Sequence, residues 1–167
     1  MNIRSEQRAD IPAIRELNCA AFDASVEADL VDVLRQQAAP IVSLVADDAG
    51  SVVGHIFFSP VTLPGHADVT IMGLAPMAVL PARQRQGIGS ALMRAGLAEC
   101  RQLGFAAVVV LGHPGYYPRF GFVPASRFRI GCEYDVPDDV FMALELESHA
   151  LKGKTGTIRY HAAFAKA

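Results

Sequence analysis

No apolar run in this 167-residue chain approaches the roughly 20 residues needed to span a bilayer. Its N-terminus, MNIRSEQRADI, lacks the long apolar core of a signal peptide, so the chain reads as cytoplasmic, with no membrane partner. Cysteine is scarce: Cys19, Cys100 and Cys132 are widely spaced, odd in number and without a C-x-x-C pair. They read as buried thiols in a reducing compartment rather than as disulfides, ligands or nucleophiles. The histidines form no H-x-x-x-H or H-E-x-x-H pair, which predicts no metal. His66, His149 and His161 stand apart, and His55 falls inside a predicted strand as a core or surface residue. Excess charge is missing too. A net charge of −2 offers no general attraction to nucleic acid or anionic lipid, so any basic patch has to be local. Internal repeats, low-complexity tracts and linkers are absent. What remains is 51% apolar and long enough to bury a substantial core, which predicts one domain over residues 1–167.

The chain opens with a short strand at Asn2-Ile3-Arg4. Asp10 and Pro12 then start a helix whose apolar residues Ile14, Leu17 and Ala21 recur at helical spacing to about Phe22. A second helix carries Val26, Leu30, Val33 and Leu34 and stops before Pro40. From Val42 the period changes to that of strands: Val42–Ala46, a hairpin turn at Asp47-Asp48-Ala49-Gly50, a return strand Val52–Val61, and a third strand Val69–Leu80. A helix after Gly89 has Ile88, Leu92, Gly96, Cys100 and Leu103 on one face and Gly104 at its C-terminus. The apolar run Phe105–Leu111 reads as a strand buried on both faces, parallel to the third. An aromatic loop, GHPGYYPRFGFVPA, follows. Two closing strands are expected at Val140–Glu147 and Gly156–Phe164.

The most informative stretch is Pro76–Met93, PMAVLPARQRQGIGSALM. A strand stops at Pro81, a basic turn with Arg83 and Arg85 follows, and Gly87-Ile88-Gly89 opens a helix. First-turn N–H groups lack partners and the helix dipole places positive charge there, so this turn suits an anion. Two common phosphate motifs fail on it. No lysine follows either glycine, as a P-loop requires, and Leu92 stands where a dinucleotide fingerprint needs its third glycine. What fits is Q-x-x-G-x-G, spelled Gln84-Arg85-Gln86-Gly87-Ile88-Gly89.

That motif, after Val79-Leu80-Pro81 and followed by Tyr117-Pro118-Arg119-Phe120-Gly121-Phe122, resembles the GNAT superfamily of acyl-CoA-dependent N-acetyltransferases. The fuller strings LAPMAVLP and GHPGYYPRFGF are similar to those of a bacterial subgroup of largely unassigned acetyltransferases. The resemblance implies an α/β (α+β) fold. It would have a mixed, mostly antiparallel sheet of roughly six to seven strands, flanked by helices, with one parallel pair that splays apart. It implies transfer of an acetyl group from acetyl-CoA, as co-substrate, to a primary amine by direct attack in a ternary complex. Gln84 would belong to the cofactor site, backbone N–H groups of Arg85, Gln86, Gly87, Ile88, Gly89 and Ser90 would hold the pyrophosphate, and the backbone of Met77, Ala78 and Val79 the pantetheine arm. A main-chain donor near Met77 would polarise the thioester carbonyl, since Pro76 has no N–H.

Tyr117 stands where many members of the superfamily place the general acid. A phenol is protonated at neutral pH and suits that role, and the spacing to Gly121-Phe122 favours it over the alternative of one more aromatic beside Tyr116, Phe120 and Phe122. Arg119 could contact a phosphate or cap the adjacent short helix. For the general base there are two candidates. Glu27 is either that base or part of a solvated helix face with Asp29 and Asp32. His113 is either a proton relay near the thioester or a loop histidine bonded to backbone. Acceptor-side residues are expected from Phe22–Glu27, the hairpin near Thr62–Asp68 and the C-terminal strands; members of the superfamily often pair through C-terminal strands, which leaves both a monomer and a homodimer open. The alternatives are a non-catalytic acyl-CoA-binding or sensing domain on the same fold, and a nucleotide-phosphate enzyme.

Overall fold

The computed structural model describes residues 1–166. Strand β1 (Asn2–Ser5) leads into helices α1 (Ile11–Phe22) and α2 (Val26–Gln37), joined by a tight turn in which Asp23 is left-handed at φ 53°. Strands β2 (Val42–Asp48), β3 (Ser51–Val61) and β4 (Ile71–Val79) form an antiparallel meander. The β2–β3 turn places Ala49 and Gly50 at positive φ, the geometry that suits a two-residue hairpin. Helix α3 (Ile88–Gln102) and strand β5 (Ala107–Leu111) complete a crossover unit, with β5 parallel to β4. The remaining strands are β6 (Val123–Pro124), β7 (Ile130–Cys132), β8 (Phe141–Glu145) and β9 (Gly156–Ile158). The main sheet runs β1-β2-β3-β4-β5-β8-β6, and β7 and β9 form a separate parallel pair.

One feature of the sheet positions the site. Pairing of β4 with β5 covers only Ile71–Leu74 against Ala107–Val110, so β4 has no strand beside it on its β5 side from Ala75 onward, while its other edge stays paired with β3. At the same point the β3–β4 register slips. Ile56 faces Met77 and Phe58 faces Leu74, leaving Phe57 opposite both Ala75 and Pro76. A bulge of this kind bends the strand and increases its twist.

The sheet buries one core under α3 and two on its other face. Ile56, Phe58, Met72, Leu74, Leu92, Met93 and Val110 pack beneath α3. On the opposite face, Val45 and Phe57 pack against Ile14, Leu30, Val31 and Leu34 of α1 and α2. Beside that core, Val61, Ile71, Val109 and Ala143 pack against Ile130 and Ile158 of the small sheet. Helix α3 lies so close to the sheet that a Cβ on Gly96 would stand 2.4 Å from the Phe58 ring.

Three expectations change. The strand foreseen over Gly156–Phe164 ends at Ile158. Beyond it, Arg159 makes a single bridge to Thr62, the Tyr160 N–H goes to the Glu133 carboxylate, and His161 Nδ1 accepts the Ala163 N–H ahead of a 3-10 turn at Ala162–Lys166. Strands β6 and β7, only two and three residues long, have no periodicity for a sequence reading to find. Leu103, placed on the buried stripe of α3, is 49% exposed because it already belongs to the helix cap. Among the described residues, no helix is long and apolar enough to cross a membrane.

Candidate active site

The turn between β4 and α3 is built for an anion. The first intrahelical bond of α3 runs from the Ala91 N–H to the Gly87 carbonyl, so the N–H groups of Ile88, Gly89 and Ser90 precede any helical acceptor. Arg85 at φ 63° and Gly87 at φ 83° are both left-handed, which turns successive N–H groups inward as a nest does. A non-glycine residue in that region is uncommon, and strain of this kind collects where a ligand is bound. The two arginines differ. Arg83 is held by Asp48 at 2.7 Å and by Gln86 at 3.1 Å, and its guanidinium keeps the Asp48 carboxyl below the usual range. Arg85 is exposed and takes part in no ion pair among the described residues. Gln84 sits against the strand, its Nε2 donating to the Val79 carbonyl at 3.2 Å.

Strand β4 continues the same cleft, which encloses about 560 Å³ and is lined by Met77, Val79, Arg85, Gly87, Ser90 and Tyr116 among others. The Leu80 N–H donates to Val53 of β3. Because backbone groups alternate along a strand, the polar groups of Ala78 also face β3, whereas those of Met77 and Val79 face the unpaired edge. The Ala78 side chain is 3% exposed and packs on the opposite face. Of the three strand residues expected to hold an arm, Met77 and Val79 present themselves to the cleft and Ala78 turns away.

Tyr116 and Tyr117 part company. The Tyr116 hydroxyl lies 3.4 Å from Ser90 Oγ, so it belongs to the head of α3. Arg119 is bound to the adjacent short helix: its Nε donates to the Tyr116 carbonyl at 3.0 Å and its guanidinium lies 4.6 Å above the Tyr116 ring, at the wall of the cleft. Tyr117 lies at the end of β5, its ring so close over Gly112 that a Cβ there would stand 2.2 Å from Cε2. It meets Tyr116 and Phe122 edge to face. Burial pushes its phenol up to about 12, so it is protonated at neutral pH. His113 is exposed and accepts the Gly115 N–H on Nδ1 at 3.0 Å, the loop arrangement rather than a relay aimed inward.

Glu27, second in α2, is half-buried, with its Oε2 enclosed and without a hydrogen-bond partner. It does not share the solvated face of Asp29 and Asp32, which bind Arg15 at 2.8 Å each. A chain of polar groups crosses the same side of the sheet. Asn18 Nδ2 donates to the Ile14 carbonyl at 3.0 Å and lies 3.3 Å from His55 Nδ1; His55 Nε2 lies 2.9 Å from Ser43 Oγ, and Ser43 donates to Glu6. Arg35 grips Glu6 with two bonds of 2.8 and 3.0 Å. These partners assign the proton of neutral His55 to Nε2. Burial pushes His55 down to about 4, outweighing the attraction of Glu6. His55 is thus a core residue. Sequence reasoning missed Asn18, Ser43, Ser59 and Tyr160 altogether, since no local spacing marks them. Among the described residues no three His, Cys, Asp or Glu side chains gather to hold a metal ion.

Comparison with known proteins agrees with this geometry. The acetyltransferase (GNAT) family matches residues 11–122. N-acetyltransferase YhbS of Escherichia coli K12 is 39% identical over 165 residues, 98% of each chain. N-acetyltransferase YjhQ of the same organism is 41% identical over 136 residues, covering 79% of this chain and 75% of its own. The crystal structure of E. coli YhbS in complex with CoA superposes with a TM-score of 0.93 at 37% identity, over 98% of this chain and 91% of that one. A Brucella melitensis GNAT acetyltransferase in complex with acetyl-CoA gives 0.81 at 40% identity, over 98% and 97%. The splayed parallel pair, the left-handed turn heading α3 and these relatives agree: this chain belongs to the acetyltransferase (GNAT) family.

Proposed function

We propose that the protein, acting as one domain in the cytoplasm, transfers an acetyl group from acetyl-CoA to a primary amine by direct attack in a ternary complex. One observation carries the reading: the unpaired edge of Met77–Val79 runs straight into the left-handed turn at the head of α3, within one cleft. The residues there fit acetyl-CoA. N–H groups from Arg85 to Ser90 and the unpaired Arg85 guanidinium suit a pyrophosphate. The edge groups of Met77 and Val79 suit an extended pantetheine amide chain, held as an added strand.

When bound, acetyl-CoA supplies the thioester that an amine attacks and the thiolate that leaves. The Met77 N–H is the main-chain donor that steadies negative charge on the carbonyl oxygen, a role Pro76 cannot fill. Tyr117 carries the proton for the leaving sulfur, its phenol kept neutral by burial. Glu27 takes the proton of the attacking ammonium. An enclosed carboxylate oxygen with no partner is suited to an ammonium in a way that the paired Asp29 and Asp32 are not. His113, already bonded to Gly115, is the weaker candidate for that step.

The test combines calorimetric binding of acetyl-CoA with thiol release over a broad amine panel and mass measurement of the product. Binding with amine-dependent release and an acetylated product supports the reading. Tight binding with no transfer to any amine would replace it with an acyl-CoA sensor, and displacement of CoA by ATP or NAD would point to a nucleotide enzyme.

A further inference from the structure

Ion pairs engage Arg4, Arg15, Arg35, Arg83, Lys154 and Arg159, while Arg94 and Arg119 lie over aromatic rings. Arg127, Arg129 and Lys152 differ. Their side chains are exposed, and they take part in no ion pair among the described residues. Yet all three line one open cleft of about 380 Å³. Like charges gathered around one cleft repel each other unless an anion lies between them.

Two segments bring these cations together. Arg127 lies in the 3-10 turn Ala125–Phe128, and Arg129 follows it at φ 59°. The Arg129 N–H donates to the Ser126 carbonyl at 2.9 Å, and its own carbonyl accepts the Gly156 N–H at 3.2 Å. The loop after β8 turns back through His149 at φ 63° and Gly153 at φ 74°. Within it the Lys152 N–H donates to the His149 carbonyl at 3.1 Å, and the N–H of buried Leu151 donates to Glu145 Oε2 at 2.9 Å. Hydrogen bonds thus fix the backbone that carries the three cations, and half-buried Phe128 adds an apolar wall.

This cleft is not the donor cleft. Glu145 of β8 faces Ala107, the first residue of β5, whereas β4 and β5 part beyond the Leu74–Val110 rung at the other end. No residue lines both clefts. Charge narrows the ligand. Three cations against the one carboxylate of Glu145 leave an excess of two positive charges, and that carboxylate already accepts the Leu151 N–H. Lys154, next to the cleft in sequence, is held by Asp68 at 2.6 Å. An excess of two suits a dianion, and guanidinium groups present donors in the paired geometry that phosphoryl oxygens accept.

We propose that the cleft lined by Arg127, Arg129 and Lys152 is a second anion site, separate from the donor cleft, and that it takes a phosphoryl dianion, either the free ion or a phosphomonoester. The site stands whether or not acetyl-CoA is the donor, since it shares no residue with that cleft.

The test titrates the full chain with inorganic phosphate, phenyl phosphate and acetate, at constant ionic strength and at a pH where phosphate is chiefly dianionic, and follows amide proton–nitrogen correlation spectra. The Gly153 and Thr155 amides at the cleft should shift saturably with phosphate, at a Kd about tenfold or more below that for acetate. The double variant Arg127→Gln/Lys152→Gln should weaken phosphate binding there by about tenfold or more, with the rest of its spectrum unchanged, which shows that it is folded. Tighter binding of phenyl phosphate than of phosphate identifies an organic phosphomonoester as the occupant, and equal binding identifies the free ion. No saturable shift at Gly153 and Thr155, shifts confined to Gly87–Ser90, acetate bound as tightly as phosphate, or affinity intact in the double variant overturns the site.

Discussion

The cleft between β4 and α3 presents main-chain N–H groups, whereas the face beneath α1 and α2 presents side chains from positions as distant as Asn18 and His55. On the donor side the chemistry belongs to N–H groups of Arg85–Ser90 and to the edge of Met77–Val79, and the side chains matter chiefly where they are absent, as at Gly87 and Gly89. Beneath α1 and α2 the buried polar groups are side chains: Asn18, His55 and Ser43 form a chain of contacts, and Glu27 Oε2 has no hydrogen-bond partner among the described residues. Backbone sites follow from the conformation of a short stretch. Side-chain sites require the whole fold to be assembled first. A donor common to many enzymes can be held by the first device, while discrimination between acceptors needs the second.

Four experiments break or sharpen this contrast. Tyr117→Phe joins the two sides, because the role proposed for the phenol lies in the reaction and not in the binding of either ligand; turnover should fall by roughly 10²–10⁴ with acetyl-CoA affinity unchanged, as pre-steady-state release and calorimetry would show. Unchanged turnover would remove Tyr117 from the mechanism. Acid should act first on the acceptor face. His55 is neutral in the fold at about 4 but ordinary, near 6.5, when unfolded, so the unfolded state binds the extra proton between those values. Stability is then lost as pH falls from 6.5 towards 4, by on the order of 3 kcal/mol, and is flat above that window. The lowered carboxyls of Glu6, Asp10, Asp48 and Asp68 add their losses only as pH falls below their unfolded values near 4. Urea midpoints from pH 7 to 4 for wild type and His55→Phe check this; equal slopes would sink it.

Gly87→Val tests the donor side alone. A β-branched residue at φ 83° costs roughly 1–3 kcal/mol, so acetyl-CoA should bind about ten to a hundred times more weakly. A larger loss on the acceptor than on acetyl-CoA would contradict the division of the molecule. The smallest effect belongs to Arg83→Ala. Its charge is already answered by Asp48, so acetyl-CoA affinity should change less than about threefold, and stability by under about 1 kcal/mol. Arg85→Ala, removing a charge with no partner, should weaken binding more, and the difference should shrink in high salt.

Legibility followed the same division. Helices α1, α2 and α3 and strands β2–β5 could be read because apolar residues recur at local periods and because Pro40, Pro81 and Gly104 punctuate them. The turn at Gln84–Ser90 could be read because an anion site at a helix start needs glycine at fixed spacing. Ala78 shows the limit of that reading: its neighbours face the cleft and it does not, a consequence of strand alternation relative to β3. The C-terminal run Gly156–Phe164 shows another, since its apolar residues pack around Tyr160 rather than extending a strand. Glu27 was visible as a candidate, but its enclosure, which separates it from Asp29 and Asp32, was not.

By itself the sequence determined one mixed α/β chain with an anion turn at the head of α3, because local spacing sets helix starts, strand periods and the φ values that glycine permits. Only the tertiary structure decided where β4 and β5 part, which backbone groups of β4 face the gap, and that Asn18, His55 and Ser43 line up beneath α1. Those outcomes depend on register and on packing between segments far apart in the chain. No local pattern encodes them, because the energies that set them exist only once the sheet and its two lower cores have closed.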